Sequence, residues 1–167
     1  MSILWSDKDW QVRLESSDLS NGNKKESIRV KRPDSVHVLA FSDNNNIVML
    51  REYRPYYGKY IWMIPSGKVD KEIDITKAAH RELREETGYR AGKLDFYCKT
   101  NYSESVISTS HIFIASDLTV DPLPQDDDEE IEVHELLIND ALENVLNSSI
   151  VHTASAYALL RYIREKL

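Results

Sequence analysis

Three carboxylates crowd one short segment of this 167-residue chain. Glu82 and Glu86 are four residues apart and Glu85 lies three beyond Glu82, so on a helix they share a face, with about 5–6 Å between Cβ atoms. Like charges at that spacing destabilise an isolated helix by about 0.2–0.5 kcal/mol each. A cation offsets the repulsion. Magnesium takes oxygen ligands from one or two carboxylates and a substrate phosphate, so the cluster has the makings of a platform for hard divalent ions. The competing reading is a solvated acidic face balanced by Arg81, Arg84 and Arg90.

Other residues suit a phosphate-bearing ligand. The guanidinium of Arg54 can grip phosphate oxygens at two points, or it is a surface cation at a strand end. Trp5 and Trp10 offer flat rings for stacking on a base, or for packing in a core or an interface. His37, His80, His111, His134 and His152 show no His-x-x-x-His spacing and give no histidine metal site. Tyr53, Tyr56, Tyr57 and Tyr60 alternate too irregularly to mark more than a pocket wall.

The wider pattern is more specific. Gly67 followed by Arg81-Glu82-Leu83-Arg84-Glu85-Glu86-Thr87-Gly88-Tyr89 resembles the Nudix box, which reads glycine, five residues, glutamate, seven residues, then Arg-Glu-aliphatic-any-Glu-Glu-any-Gly-aliphatic. Six fixed positions at roughly one in fifteen each make a chance match on the order of one in 100,000. The first box glutamate falls on Ile73, beside Glu72 and Asp74, and Tyr89 replaces an aliphatic residue. Similarity to the ADP-ribose and ADP-sugar pyrophosphatase branch extends over nearly the whole chain. Arg51-Glu52-Tyr53-Arg54-Pro55, Trp62-Met63-Ile64-Pro65-Ser66-Gly67, Asp128-Glu129-Glu130-Ile131-Glu132-Val133 and the segment 150–160 carry it. Where ADP-ribose hydrolases have a Ser-Pro-Gly turn, this chain has Ser103-Glu104-Ser105.

The resemblance implies a magnesium-dependent pyrophosphohydrolase, with manganese as a substitute, in which water attacks phosphorus in a nucleoside diphosphate sugar such as ADP-ribose. Carried over residue by residue, it makes Glu82 and Glu86 metal ligands on an exposed face. Glu85 shares a metal or a bridging water, and the Ser66 carbonyl completes the shell. Arg81 holds the glutamates in register, an ordinary i,i+4 pair with Glu85 being equally compatible. The general base comes from the acidic run 126–130, Glu129 first and Glu130 second, although such a run by itself is usually a solvated loop. Arg54 clamps the diphosphate, Trp5 and Trp10 stack on the base across a homodimer interface, and Glu104 sits at the substrate turn. One rival is a Nudix hydrolase of a nucleoside triphosphate, a dinucleoside polyphosphate or capped RNA. Another is a catalytically silent fold that senses nucleotide sugars and binds a partner protein. Retention of Glu82, Glu85 and Glu86 opposes the silent fold, while Ile73 and Glu104 favour it.

These residues must be held by elements that the pattern also outlines. Alanine, leucine, arginine and glutamate over 76–87, closed by Gly88, predict a helix carrying the carboxylates. Pro65-Ser66-Gly67 stops an apolar strand at 60–64 and leads through a loop into that helix. Segments 2–32 read as a hairpin about the turn Ser20-Asn21-Gly22-Asn23, and 35–41 with 47–50 as a second hairpin closed by 43–46. Strands are expected at 94–99, 111–115 and 131–137, and helices at 140–146 and 154–167. The expected fold class is α/β with a mixed sheet, a Nudix-type α/β/α sandwich at 35–167 with an N-terminal hairpin extension at 1–34 exchanged in a dimer.

Composition agrees with this reading. The length suits one catalytic domain, and 41% apolar residues can supply its core. Lys and Arg total 21 against 28 Asp and Glu, and the net charge of −7 disfavours nonspecific nucleic-acid binding. The single cysteine, Cys98, reads as a buried strand thiol of a protein from a reducing compartment. With no apolar run of about 18–20 residues and with Asp7, Lys8 and Asp9 near the start, a cytoplasmic protein without a membrane span is expected.

Overall fold

The computed structural model describes residues 1–42, 46–70, 74–126 and 128–166. The strands are β1 (Ser2–Ser6), β2 (Gln11–Asp18), β3 (Lys24–Lys31), β4 (Ser35–Ala40), β5 (Ile47–Arg54), β6 (Lys59–Met63), β7 (Ser66–Lys68), β8 (Tyr89–Ser103), β9 (Val106–Val120) and β10 (Ile131–Leu136). The helices are α1 (Ile75–Thr87), α2 (Ile138–Asn147) and α3 (Thr153–Lys166).

Two sheets form the middle layer. One runs β1-β2-β3-β9-β4-β7 with β8 paired to β9, and the other runs β10-β5-β6. Antiparallel β8 takes one edge of β9; β3 and then β4 lie parallel along the other, with Val30 opposite Val106 and Ser35 opposite Ser110. Side chains of β4 alternate between two cores, as strand geometry requires. Val36, Val38 and Ala40 pack with Ala78, Ala79 and Leu83 of α1. Leu39 packs with Ala141 and Val145 of α2 and with Ala156, Ala158 and Leu159 of α3. The architecture is therefore the expected α/β/α sandwich, and Cys98 is buried in β8.

Helix α1 matches the composition-based expectation at both ends. The Asp74 side chain accepts from Thr76 N at 2.9 Å and Lys77 N at 3.4 Å, and Gly88 closes the helix at φ 76°, donating to the Arg84 carbonyl at 3.1 Å. Four expectations are corrected. Strands β4 and β5 do not form a hairpin: they lie in different sheets and touch through a single bridge, Phe41 to Ile47. Both are almost wholly buried, and their edges are taken by other partners, β9 and β7 for one and β10 and the next strand, β6, for the other. The proposed turn at 43–46 lies mostly outside the described residues. The two expected short strands are the middles of 15-residue strands, β8 and β9, joined at Glu104-Ser105. The N-terminal segment is a three-stranded meander, β1 pairing with β2 as well as β2 with β3. Ser66–Lys68, read as a loop, pairs with β4, His37 lying opposite Ser66.

Candidate active site

The buried stripe of α1 is Ala78, Ala79, Glu82, Leu83 and Glu86, so the glutamates replace apolar residues on the inward side just where the helix passes β7. Glu82 is 8% exposed and Glu86 5%. This corrects the exposed face expected for them. Backbone contacts hold them there. Ser66 N donates to Glu86 Oε2 at 2.7 Å, and a Cβ on Gly67 would run into the Glu82 carboxylate. Only glycine leaves room for that carboxylate against the β7 backbone.

Arg81 binds the cluster together. Its Nη2 is 2.7 Å from Glu82 Oε1 and its Nη1 2.6 Å from Glu85 Oε2, while Nη2 also reaches the Lys68 carbonyl at 3.3 Å and Asp70 Oδ1 at 3.7 Å. Both readings of Arg81 thus describe one arrangement, the i,i+4 pair being part of a wider bracket. Among the described residues no three metal-ligating side chains converge on one point as a ready-made coordination shell.

A cleft of about 330 Å³ opens beside the cluster. Glu82, Glu86, Ser66, Gly67, Asp70 and Arg81 wall its acidic end, with Asp126, Asp128 and Glu129 coming from the loop before β10. Glu52 and Arg54 project from β5, and Arg32, Ser35, His37, Tyr102 and His152 form the remaining wall. Glu52 is 5% exposed, and its Oε2 meets Arg54 Nη2 at 2.8 Å.

Burial sets the electrostatics. It raises the Glu82 carboxyl to about 7 against the opposing pull of Arg81, with Glu85 adding to the rise. Burial and the neighbouring Glu82 lift Glu86 well above the ordinary range, while the Ser66 amide opposes them. Glu52 is raised to about 6 by burial, which Arg54 counters. Glu129 is raised by burial and then by Asp126 and Asp128, which is the behaviour expected of a carboxylate among carboxylates. Hard oxygen donors that resist ionisation unless a cation joins them are chemically matched to a divalent metal.

Not every residue singled out from sequence meets at the cleft. Glu130 is exposed, and its carboxylate accepts from Tyr60 Oη instead. Glu104 pairs with Arg29 at 3.1 Å on the β8–β9 turn, away from the cleft wall. Trp5 lies on β1, 53% exposed, and the Trp10 ring is 6.0 Å from the guanidinium of Arg32. Glu72, Ile73 and Asp127 lie outside the described residues. Sequence reasoning assigned no role to Glu52, Asp70, Arg32, His37, Tyr102 or His152. For Glu52 a signal existed: its i,i+2 spacing to Arg54 puts both on one strand face.

An α/β/α sandwich whose cleft is lined by buried glutamates of one helix and by arginines has the chemistry of a site for phosphate groups and a divalent ion. Residues 31–153 match the NUDIX domain family, and the chain belongs to that family, the Nudix hydrolases. It is 34% identical over 169 residues to the ADP-ribose pyrophosphatase of Bacillus subtilis strain 168, covering 98% of this chain and 89% of the relative. It is 28% identical to the methanol dehydrogenase activator of Bacillus methanolicus, covering 93% and 86% of the two chains. A crystal structure of an ADP compounds hydrolase superposes with a TM-score of 0.75 at 26% identity, over 98% of this chain and 94% of that one.

Proposed function

We propose that this chain hydrolyses the diphosphate of a nucleoside diphosphate sugar of the ADP-ribose type, giving a nucleoside monophosphate and a sugar phosphate. The observation that carries the reading is one cleft lined by buried Glu82 and Glu86 together with Arg54 and Arg32. The names of the Bacillus subtilis relative and of the superposed structure support the adenine-nucleotide class.

Glu82 and Glu86, with Glu85 and the Ser66 carbonyl, would hold magnesium, or manganese in its place. A divalent ion bound there supplies charge neutralisation at the phosphates and a lowered pKa for bound water. Arg81 keeps Glu82 and Glu85 at fixed spacing, so the carboxylates do not splay under mutual repulsion. Glu129, its pKa raised by burial and then by Asp126 and Asp128, lines the cleft and accepts the proton of the attacking water; Glu130, tied to Tyr60, is the lesser candidate. Arg54, oriented by Glu52, grips a phosphate oxygen.

The N-terminal meander, 1–34, is proposed as an extension that joins two copies. It displays Ile3, Leu4, Trp5 and Ile28 more than half exposed, an apolar surface suited to a second chain. Among the described residues no helix is long and apolar enough to cross a membrane, and a cytoplasmic location is proposed with the enzyme. The test is a panel of ADP-ribose, ADP-glucose, GDP-mannose, UDP-glucose, dinucleoside polyphosphates and nucleoside triphosphates with magnesium, scored by product. Release of AMP and ribose 5-phosphate from ADP-ribose at the highest kcat/KM is expected. Preference for a triphosphate or a dinucleotide would replace this substrate, and no turnover of any member would remove the proposal.

A further inference from the structure

Besides the glutamates, the cleft is lined by Arg32, His37 and His152. His152, on the loop before α3, and His37, on β4, stand with ring centroids 5.6 Å apart. His37 is 3% exposed and its Nδ1 is buried without a partner. Arg32 lines the cleft and lies over the Tyr102 ring at 4.7 Å, and its Nε is buried without a partner. A guanidinium and an imidazole N–H lining one cleft suit an oxygen-rich anionic ligand.

The orientation of His152 follows from its neighbour. Ser155 is fully buried in α3, and its Oγ accepts from Ile64 N at 3.0 Å. The hydroxyl still has a proton to donate, and the acceptor in contact is His152 Nδ1 at 2.6 Å. Nδ1 is then the lone-pair nitrogen, so the hydrogen of the neutral ring sits on Nε2. Burial, together with Arg54 and Arg32, keeps the imidazole uncharged near neutral pH. A neutral N–H donor between two arginines suits a phosphate oxygen without adding a third positive charge.

We propose that Arg32 and the Nε2–H of His152 form a binding subsite for the phosphate of the substrate that is not attacked, with Ser155 the positioning residue that holds His152 in its donating tautomer. This rests on the diphosphate reading above. It is tested without turnover, by calorimetric binding of a methylene-bridged ADP-ribose analogue and by ¹⁵N NMR of histidine-labelled protein at pH 7, titrated with the analogue and with inorganic phosphate. The wild type is expected to show His152 as the Nε2–H tautomer and to shift that resonance on addition of either ligand. His152→Ala weakens analogue binding about tenfold, the worth of one hydrogen bond to a charged group, and its kinetic loss falls on KM more than on kcat. His152→Gln, which keeps an N–H donor, recovers most of the affinity. Ser155→Ala, checked for folding by circular dichroism, mixes the tautomers and loses about threefold. An Nδ1–H tautomer or a charged ring at pH 7 overturns the proposal. So does a His152 resonance moved by neither ligand, or unchanged affinity in His152→Ala. If the analogue binds as described but ADP-ribose is not hydrolysed, the subsite stands and the enzymatic reading fails.

Discussion

Glu86 is buried, accepts from the Ser66 amide, and has its pKa raised by Glu82, so its side chain is held in place by the same burial that opposes its ionisation. Glu86→Gln keeps an acceptor for the Ser66 amide and removes the charge. It is expected to lower kcat at least about a hundredfold, the scale on which even supporting residues of metal sites act, while the melting temperature at pH 7.5 stays level or rises. A near-normal kcat in a folded variant would dismiss the metal role. For Glu129→Gln the expected change is different: the chemical step slows, by about a hundredfold for a lost general base, while magnesium binding followed by calorimetry persists. A wild-type single-turnover rate would move the base elsewhere on the loop. At this scale helical spacing discloses the shared face of the carboxylates and the Arg81–Glu85 pair, whereas the hold of Arg81 on the cluster is implied only by the resemblance. His37 and His152 are not legible as site residues, since distant segments of the fold bring them to one cleft.

Among the elements, α1 was readable because its signals are local: a run of helix formers closed directly by Gly88. The β4–β5 hairpin was misread for the opposite reason. Turn formers and two apolar runs specify a chain reversal, but they do not say whether the strands pair with each other or with other partners such as β9 and β10. Short apolar windows likewise showed only the middles of β8 and β9, whose outer thirds are polar and half-exposed yet remain hydrogen-bonded to one another. The strand that sequence reading missed, β7, gives the sharpest test at this scale. Gly67 lets the Glu82 carboxylate lie against the β7 backbone, so Gly67→Ala forces the helix or its glutamate away. Expected are loss of at least about tenfold in apparent magnesium affinity, as for supporting groups of metal sites, and a melting temperature lower by several degrees. Unchanged magnesium dependence would show that the close approach of β7 to α1 has no part in holding the carboxylates.

The whole molecule places acidic and basic groups that resist charging in one cleft, and their effects on stability run in opposite directions. His37 is depressed to about 3 and His152 to about 4, both chiefly by burial. An unfolded histidine titrates near 6.5, so below that value the unfolded chain takes up protons that the native state refuses. Their contribution to stability is therefore complete above pH 6.5 and is lost as pH falls. Glu52 and Glu82 behave in reverse, being raised to about 6 and about 7 from 4.5 by burial. The native state keeps protons that unfolded glutamates release, so their contribution is present below pH 4.5 and is lost as pH rises through the folded values. The two slopes overlap at mildly acidic pH and separate above 6.5, where the histidines are already neutral in both states and only the glutamates still titrate. Metal-free protein is expected to lose melting temperature between pH 6.5 and 7.5, and Glu82→Gln to lose less over the same interval. Saturating magnesium should reverse the wild-type decline, because the deprotonated carboxylate is the form that ligates. Differential scanning calorimetry with EDTA and then with magnesium measures all three curves. A wild-type curve whose slope matches that of Glu82→Gln, with or without the ion, would mean that the acidic end of the cleft stores no electrostatic strain for a cation to relieve.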